Sequence, residues 1–238
     1  MTCACVFGAG GGIGSALVSA LDARGDVERI YAASRNPVAA SDKIVPLICD
    51  VTEESAIAEA ARLMEREGRP DLVIVASGAL DFADGTGPER SYRKLDQARM
   101  AQLFALNAIA PAMVARHVLP LLPRDRRSVF AALSARVGSI GDNRLGGWHS
   151  YRASKAALNM LIRNFAIELR RTHSESVIVS LHPGTVDTPL SRPYQRNLPD
   201  GQVTGAAQAA QSLLSVIDGL GSADSGGFFA WDGQPIPF

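Results

Sequence analysis

Tyr151 and Lys155 stand four residues apart in the run Tyr151-Arg152-Ala153-Ser154-Lys155. Residues so spaced share one face of a helix, so a phenol and an ammonium lie one turn from each other if the segment is helical. Leu158, Leu161, Ile162 and Phe165 carry on an apolar period that predicts that helix. A cation beside a phenol favours the phenolate. It draws a group that ionises near ~10 toward the range where it exchanges a proton at neutral pH. A tyrosine at a helix start followed by a solvated lysine has the same spacing, so the companions of the pair decide its meaning.

One companion is Gly8-Ala9-Gly10-Gly11-Gly12-Ile13-Gly14, which follows a strand-like run and opens a helical one. Glycines there let the backbone turn tightly and approach a pyrophosphate, and the helix N-terminus faces the anion. His117, His149, His173 and His182 share no ligand spacing, so no metal site is expected. No Gly-x-Ser-x-Gly elbow of a serine hydrolase is present either.

The elements that must hold these groups alternate. Strands are expected at 3–7, 30–33, 44–49, 72–76, 128–133, 177–182 and 228–231, and helices at 12–23, 53–67, 96–121, 151–171 and 205–218. Strands rich in Val, Ile, Leu and Ala without polar alternation imply burial on both faces. The expected fold is therefore α/β, a single doubly wound Rossmann-type domain over 1–238 with a seven-stranded parallel sheet. The chain has 238 residues, 47% of them hydrophobic, which is enough for a full core.

Formal charge is zero, which favours neither nucleic acid nor an anionic membrane as partner. No signal peptide and no apolar run long enough to cross a bilayer is apparent, so a cytoplasmic location is expected. Cys3, Cys5 and Cys49 lie in strand-like runs without paired spacing and read as small core residues. The stretch from Leu190 to Gly205, rich in Pro and Gly, reads as a surface insertion beside the site.

The glycine spacing Gly8-x-x-x-Gly12-Ile13-Gly14, together with Tyr151-x-x-x-Lys155 far downstream, resembles the short-chain dehydrogenase/reductase family over nearly the whole chain. The family usually reads Thr-Gly where this chain has Phe7-Gly8. At the end of the second strand, Ala33-Ser34-Arg35-Asn36 has a basic residue where an acidic one would hold the ribose hydroxyls of NAD. Arg35 can pair with a 2′-phosphate and Ser34 can donate to it, so NADP is favoured over NAD. Asp50 and Val51 resemble the family's pair beside adenine, although Asp50 could also cap the helix begun by Glu53. The family's Asn-Asn-Ala-Gly is Val75-Ala76-Ser77-Gly78 here, which leaves Ser77 and Gly78 to line the cofactor.

The resemblance further implies that Asn107 orders a water linked to Lys155, with Pro111 kinking its helix. It assigns Pro183, Gly184, Val186 and Thr188, in His182-Pro183-Gly184-Thr185-Val186-Asp187-Thr188, to the nicotinamide and the pyrophosphate. The position that usually holds the catalytic serine is Ala135. A hydroxyl is needed to polarise the substrate carbonyl, and Ser134 or Ser139 could supply it. Ser134 is preferred because a lengthened loop from Asp142 to His149 spoils counting back from Tyr151.

The resemblance implies an NADP-dependent oxidoreductase acting on a small-molecule carbonyl or secondary alcohol, catalysed by Tyr151, Lys155, Asn107 and Ser134. The insertion would form a lid with Tyr194 and Leu198 as contacts. A homodimer or homotetramer is expected from Ala101, Phe104, Ala108, Ala112, Ala157 and Leu161, which give two helices a second apolar face. The competing reading is a cofactor-binding cell-to-cell signalling or regulatory protein on the same fold. The runs Leu133-Ser134-Ala135-Arg136-Val137-Gly138-Ser139-Ile140 and Phe228-Phe229-Ala230-Trp231-Asp232-Gly233 resemble the C-factor-like subgroup.

Overall fold

Period-two alternation inside each strand divides the core into two layers. Ala4, Val6, Ile30, Ile74 and Leu181 face helices α1 (Gly12–Asp22) and α6 (Ala206–Gly219). Cys5, Phe7, Tyr31, Val73 and Phe130 face α2 (Glu54–Glu67), α4 (Ala110–Val118) and α5 (His149–Leu169). Burial on both faces is what a parallel sheet with covering helices requires. The computed structural model describes residues 2–82, 84–196, 198–199 and 201–238.

The strands of that sheet are β1 (Thr2–Phe7), β2 (Val27–Ser34), β3 (Ile44–Ile48), β4 (Leu72–Val75), β5 (Ser128–Leu133), β6 (Ser176–His182) and β9 (Phe228–Ala230). They pair parallel in the order β3-β2-β1-β4-β5-β6-β9, the expected seven-stranded Rossmann-type arrangement. The order reverses direction between β1 and β4, so a crevice opens at their carboxyl ends. Pro46 lies in edge strand β3, where a missing N–H costs no ladder bond on the outer side. Strand β2 begins three residues before the expected start. Glu28 and Arg29 mask that extension in the sequence because it lies at the rim, with Glu28 exposed.

Residues 96–121, expected to be one helix, form α3 (Gln97–Phe104), a π-helical turn (Ala105–Ile109), α4 and a short 3-10 turn (Leu119–Leu121). Pro111 causes part of this, since it has no N–H to return to the Asn107 carbonyl four residues earlier. At the turn, the Ala110 N–H instead reaches back five residues to the Ala105 carbonyl. The whole stretch Gln97–Leu121 is long and apolar enough to cross a bilayer by length and composition, contrary to the expectation of no such run. Its apolar side chains Leu103, Val114 and Val118 are instead buried against the rest of the fold.

Cys5 and Cys49 are buried, Cys3 is partly so, and all three are free thiols. In the expected insertion, Arg192–Tyr194 make a 3-10 turn and β8 (Val203–Thr204) pairs parallel with β7 (Thr185–Val186). Asn197 and Asp200 of that segment lie outside the described residues.

Candidate active site

The glycine loop turns at Gly8, whose φ of 86° is unfavourable for any residue with a Cβ, and which lies against the Ser77 N–H at the end of β4. The N-terminus of α1 follows, with Gly11 as its cap and no side chain satisfying the first amides. They are left for an anion. A Cβ at Gly12 would come within 2.6 Å of Thr188 Cγ2, so the segment after β6 lies directly over the loop. Gly10 in turn lies 3.3 Å, measured from an added Cβ, from the hydroxyl of Ser34. Ser34 is buried and donates to the Asn36 carbonyl, while Arg35 beside it is exposed.

Asp50 does not cap α2, one of the two readings left open. Its Oδ1 accepts from the Thr52 N–H at 3.0 Å and from the Thr52 hydroxyl at 2.8 Å, and Glu53 is the cap residue. Those bonds, with Arg35 nearby, hold the Asp50 carboxyl below its ordinary range. Val51 is buried beside it. Gly184, after Pro183, adopts φ 78° against Trp231, and Val186 is buried in β7. The close approaches at Gly8, Gly10, Gly12 and Gly14, which leave no room for a Cβ, together with the uncapped start of α1, fit a phosphate-bearing cofactor at this loop.

Ser77 and Gly78 join this cradle to the proton-transfer residues. A Cβ at Gly78 would stand 3.2 Å from Asn107 Oδ1 and 3.3 Å from Lys155 Nζ. Asn107 is fully buried on the π-helical turn. Its Oδ1 accepts from the Ala79 N–H at 2.9 Å, and its amide donates to the Ala79 carbonyl at 2.8 Å and to Ser154 Oγ at 3.1 Å. The side chain therefore clamps the chain after β4 to α5. Ser154 was not singled out in the sequence, where it is only one letter inside the Tyr151 motif.

Lys155 Nζ donates to the Leu133 carbonyl at the end of β5 at 2.8 Å and lies 6.0 Å from the Tyr151 ring centroid. Both groups are buried. Burial pushes the Tyr151 phenol up to about 12 and the Lys155 ammonium down to about 8. The expectation that Lys155 lowers the tyrosine is thus reversed in the free protein. Tyr151 is packed among Leu80, Phe82 and Leu103, with Trp148 and Tyr194 around it, and loss of hydration outweighs a cation that distant.

The residue touching this tyrosine cluster from the end of β5 is Ala135. Ser134 is buried beside it with a hydroxyl that has no hydrogen-bond partner among the described residues. Ser139 is otherwise engaged. Its hydroxyl donates to the Pro237 carbonyl and accepts from the Asp142 N–H, so it fixes the C-terminal segment rather than facing the crevice.

Two supporting residues, Glu89 and Ser150, gave no sequence signal. The Glu89 carboxylate is buried and accepts from the backbone and hydroxyl of Ser150 at the start of α5, and its carbonyl accepts from the Trp148 N–H. Trp148 itself is left-handed at φ 50°, after Gly146 and Gly147 at 62° and 65°. That turn aims the Trp148 ring edge-on at both Tyr151 and Tyr194. Tyr194 donates to Asp81, which ties the insertion across the crevice mouth. Leu198 is half-buried but outside the cluster around Tyr151. No group of three His, Cys, Asp or Glu side chains among the described residues could hold a metal ion.

A family model described as short chain dehydrogenase matches residues 2–199. The chain is 33% identical to the 1-hydroxy-2-glutathionyl-2-methyl-3-butene dehydrogenase of Rhodococcus sp. (strain AD45), over 98% of each protein. It is 38% identical to C-signal of Myxococcus xanthus over 60% of this chain and 81% of that one. The NADPH-bound carbonyl reductase from chicken fatty liver has the same fold, with a TM-score of 0.85 over 100% of this chain and 94% of that one at 24% identity.

Proposed function

Because the chain belongs to the short chain dehydrogenase family and is thereby a nicotinamide-dependent oxidoreductase, we propose that it transfers a hydride between NADP and a small-molecule carbonyl or secondary alcohol. The observation that carries this reading is the Ser77-Gly78 junction. The first of these residues touches the glycine loop, and the second touches both Lys155 and Asn107.

The cofactor supplies the hydride. Tyr151, held protonated by burial, gives its proton to the developing alkoxide, which suits the reducing direction. Lys155, which donates to the Leu133 carbonyl, is the cation that would stabilise the phenolate once the phenol has lost its proton, and it would hold the ribose hydroxyls of the cofactor. Asn107 keeps the segment after β4 in place and, through Ser154, holds α5 against it. Ser134 has the one unpaired buried hydroxyl at the end of β5 and is the candidate to polarise the carbonyl. Arg35, exposed beside the glycine loop, is the residue to pair with the 2′-phosphate, whereas the expected donation from Ser34 is taken up by the Asn36 carbonyl. The proposal extends to one domain over 1–238, a cytoplasmic location and a homo-oligomer.

The second reading, signalling, rests on Ala135 at the crevice and on the similarity to C-signal. A panel of ketones and aldehydes with NADPH, followed by loss of nicotinamide absorbance, separates the two. Turnover supports hydride transfer, and no turnover on any member would leave the signalling reading. Arg35→Asp should weaken NADPH by about 10- to 100-fold more than NADH in calorimetry. Equal weakening would remove Arg35 from phosphate recognition.

A further inference from the structure

Two polar side chains stand side by side, each without a partner, where β5 and β6 end. Leu133 of β5 is level with Leu181 of β6, and both face α1 and α6. The Ser134 N–H then donates to the Leu181 carbonyl at 2.7 Å, so the alignment runs one residue further. Period two turns Ser134 and His182 together onto the other face, that of α5. The Ser134 hydroxyl and His182 Nδ1 are both buried and have no hydrogen-bond partner among the described residues.

Buried polar atoms in native proteins are nearly always paired. Neighbouring strands lie ~4.8 Å apart, so rotation about side-chain torsions alone brings the Ser134 oxygen and His182 Nδ1 within reach of one hydrogen bond. Two other unpartnered atoms lie nearby and suit Ser134 less well. Ser180, on the same face, is level with Ala132, and the free Oδ1 of Asn159 can only accept. Burial, with Arg136 nearby, pushes the His182 imidazole down to about 4, so the ring is neutral and one nitrogen carries the hydrogen. Both neighbours of Ser134 touch the proton-transfer pair. The Leu133 carbonyl accepts from Lys155, and Ala135 touches the cluster around Tyr151. To polarise a carbonyl, Ser134 must point its hydrogen at the substrate oxygen, which leaves its own oxygen free to accept.

We propose that His182 is a positioning residue, whose Nδ1–H donates to Ser134 Oγ and so turns the hydroxyl hydrogen toward the substrate carbonyl. The proposal rests on the hydride-transfer reading for the task it gives to Ser134.

Nuclear magnetic resonance of the imidazole nitrogens in the NADPH-bound protein shows which of them carries the hydrogen, without any turnover. Wild type should hold the Nδ1–H form. Ser134→Ala should shift the ring toward Nε2–H, and Ser180→Ala and Asn159→Ala should not. On a ketone that the protein turns over, Ser134→Ala should lower kcat by about 100-fold, as for a lost oxyanion donor. His182→Leu should lower it by about tenfold, the scale of one hydrogen bond, with NADPH affinity within about twofold. His182→Asn, which offers an amide N–H in place of Nδ1–H, should restore most of that loss. In the Ser134→Ala background, His182→Leu should add less than about twofold, because the two side chains act as one unit. An Nε2–H ring in wild type, a ring form indifferent to Ser134→Ala, or full activity in Ser134→Ala would overturn the proposal. So would a tenfold His182→Leu loss that persists beside Ser134→Ala, or one matched by lost NADPH affinity. A Ser134-dependent Nδ1–H form in a protein that reduces no carbonyl would leave the pair standing and remove the hydride-transfer reading instead.

Discussion

At the scale of single residues, the proton donor and its cation can be separated by substitution. Tyr151→Phe should lower kcat by about 10³-fold or more while NADPH affinity, read by calorimetry, stays within about twofold, since only the transferable proton is lost. Full activity in that variant would remove Tyr151 from the chemistry. Lys155 makes a prediction in the free protein, because burial depresses it to about 8. Between about pH 8 and 10.5 the unfolded chain binds a proton there that the folded chain does not, so stability rises with pH across that window. The gain is at most about 3 kcal/mol, and Tyr151, raised by burial, works against it above about pH 10. Urea unfolding of wild type against Lys155→Met should show the slope only in the wild type; parallel curves would mean that Lys155 is not desolvated. The spacing of Tyr151 and Lys155 was legible in the sequence because helical period alone puts them on one face. The ionisation of Tyr151 was not, because it is set by burial among Leu80, Phe82 and Leu103, which the chain brings in from other elements.

At the scale of elements, the strands and the doubly wound order were legible because each strand is apolar on both faces and each covering helix has one apolar stripe. The division of residues 96–121 was legible only at Pro111. Nothing in the letters before it specifies a π-helical turn, which depends on Asn107 finding Ala79 on a different segment. Asn107→Leu keeps the branched side-chain skeleton but leaves the N–H and C=O of Ala79 unpaired, so it should cost about 2–4 kcal/mol in urea unfolding. A cost below about 1 kcal/mol would show that the clamp is dispensable for the fold. The left-handed Trp148 was partly legible, since Gly146 and Gly147 announce an unusual turn. The buried Glu89 that receives it was not, because Gly87-Pro88-Glu89-Arg90 reads as an ordinary surface loop.

At the scale of the whole molecule, three large apolar side chains lie uncovered along the segment containing α4 and on α5: Ile109, Met160 and Ile167, each more than half exposed at 54%, 61% and 55%. Of the residues expected to form the second apolar face, Ala108 is buried within the fold, and we propose that Ile109, Met160 and Ile167 are covered by a second copy. Light scattering after size exclusion at micromolar concentration should give at least twice the 25.2 kDa of one chain. A monomer mass would exclude the assembly, and Met160→Glu should produce one. The sheet order also has a consequence for how the chain is made. Strand β4, Leu-Val-Ile-Val and buried on both faces, can pair with β1 once it has left the ribosome, but its other edge waits for β5, which ends at Leu133. At ~5–20 residues per second that edge stays open for about 3–12 s on every nascent chain. During that interval the centre of the future sheet is a bare apolar edge, so the length of the segment from Ala76 to Arg127 sets how long that edge stays uncovered.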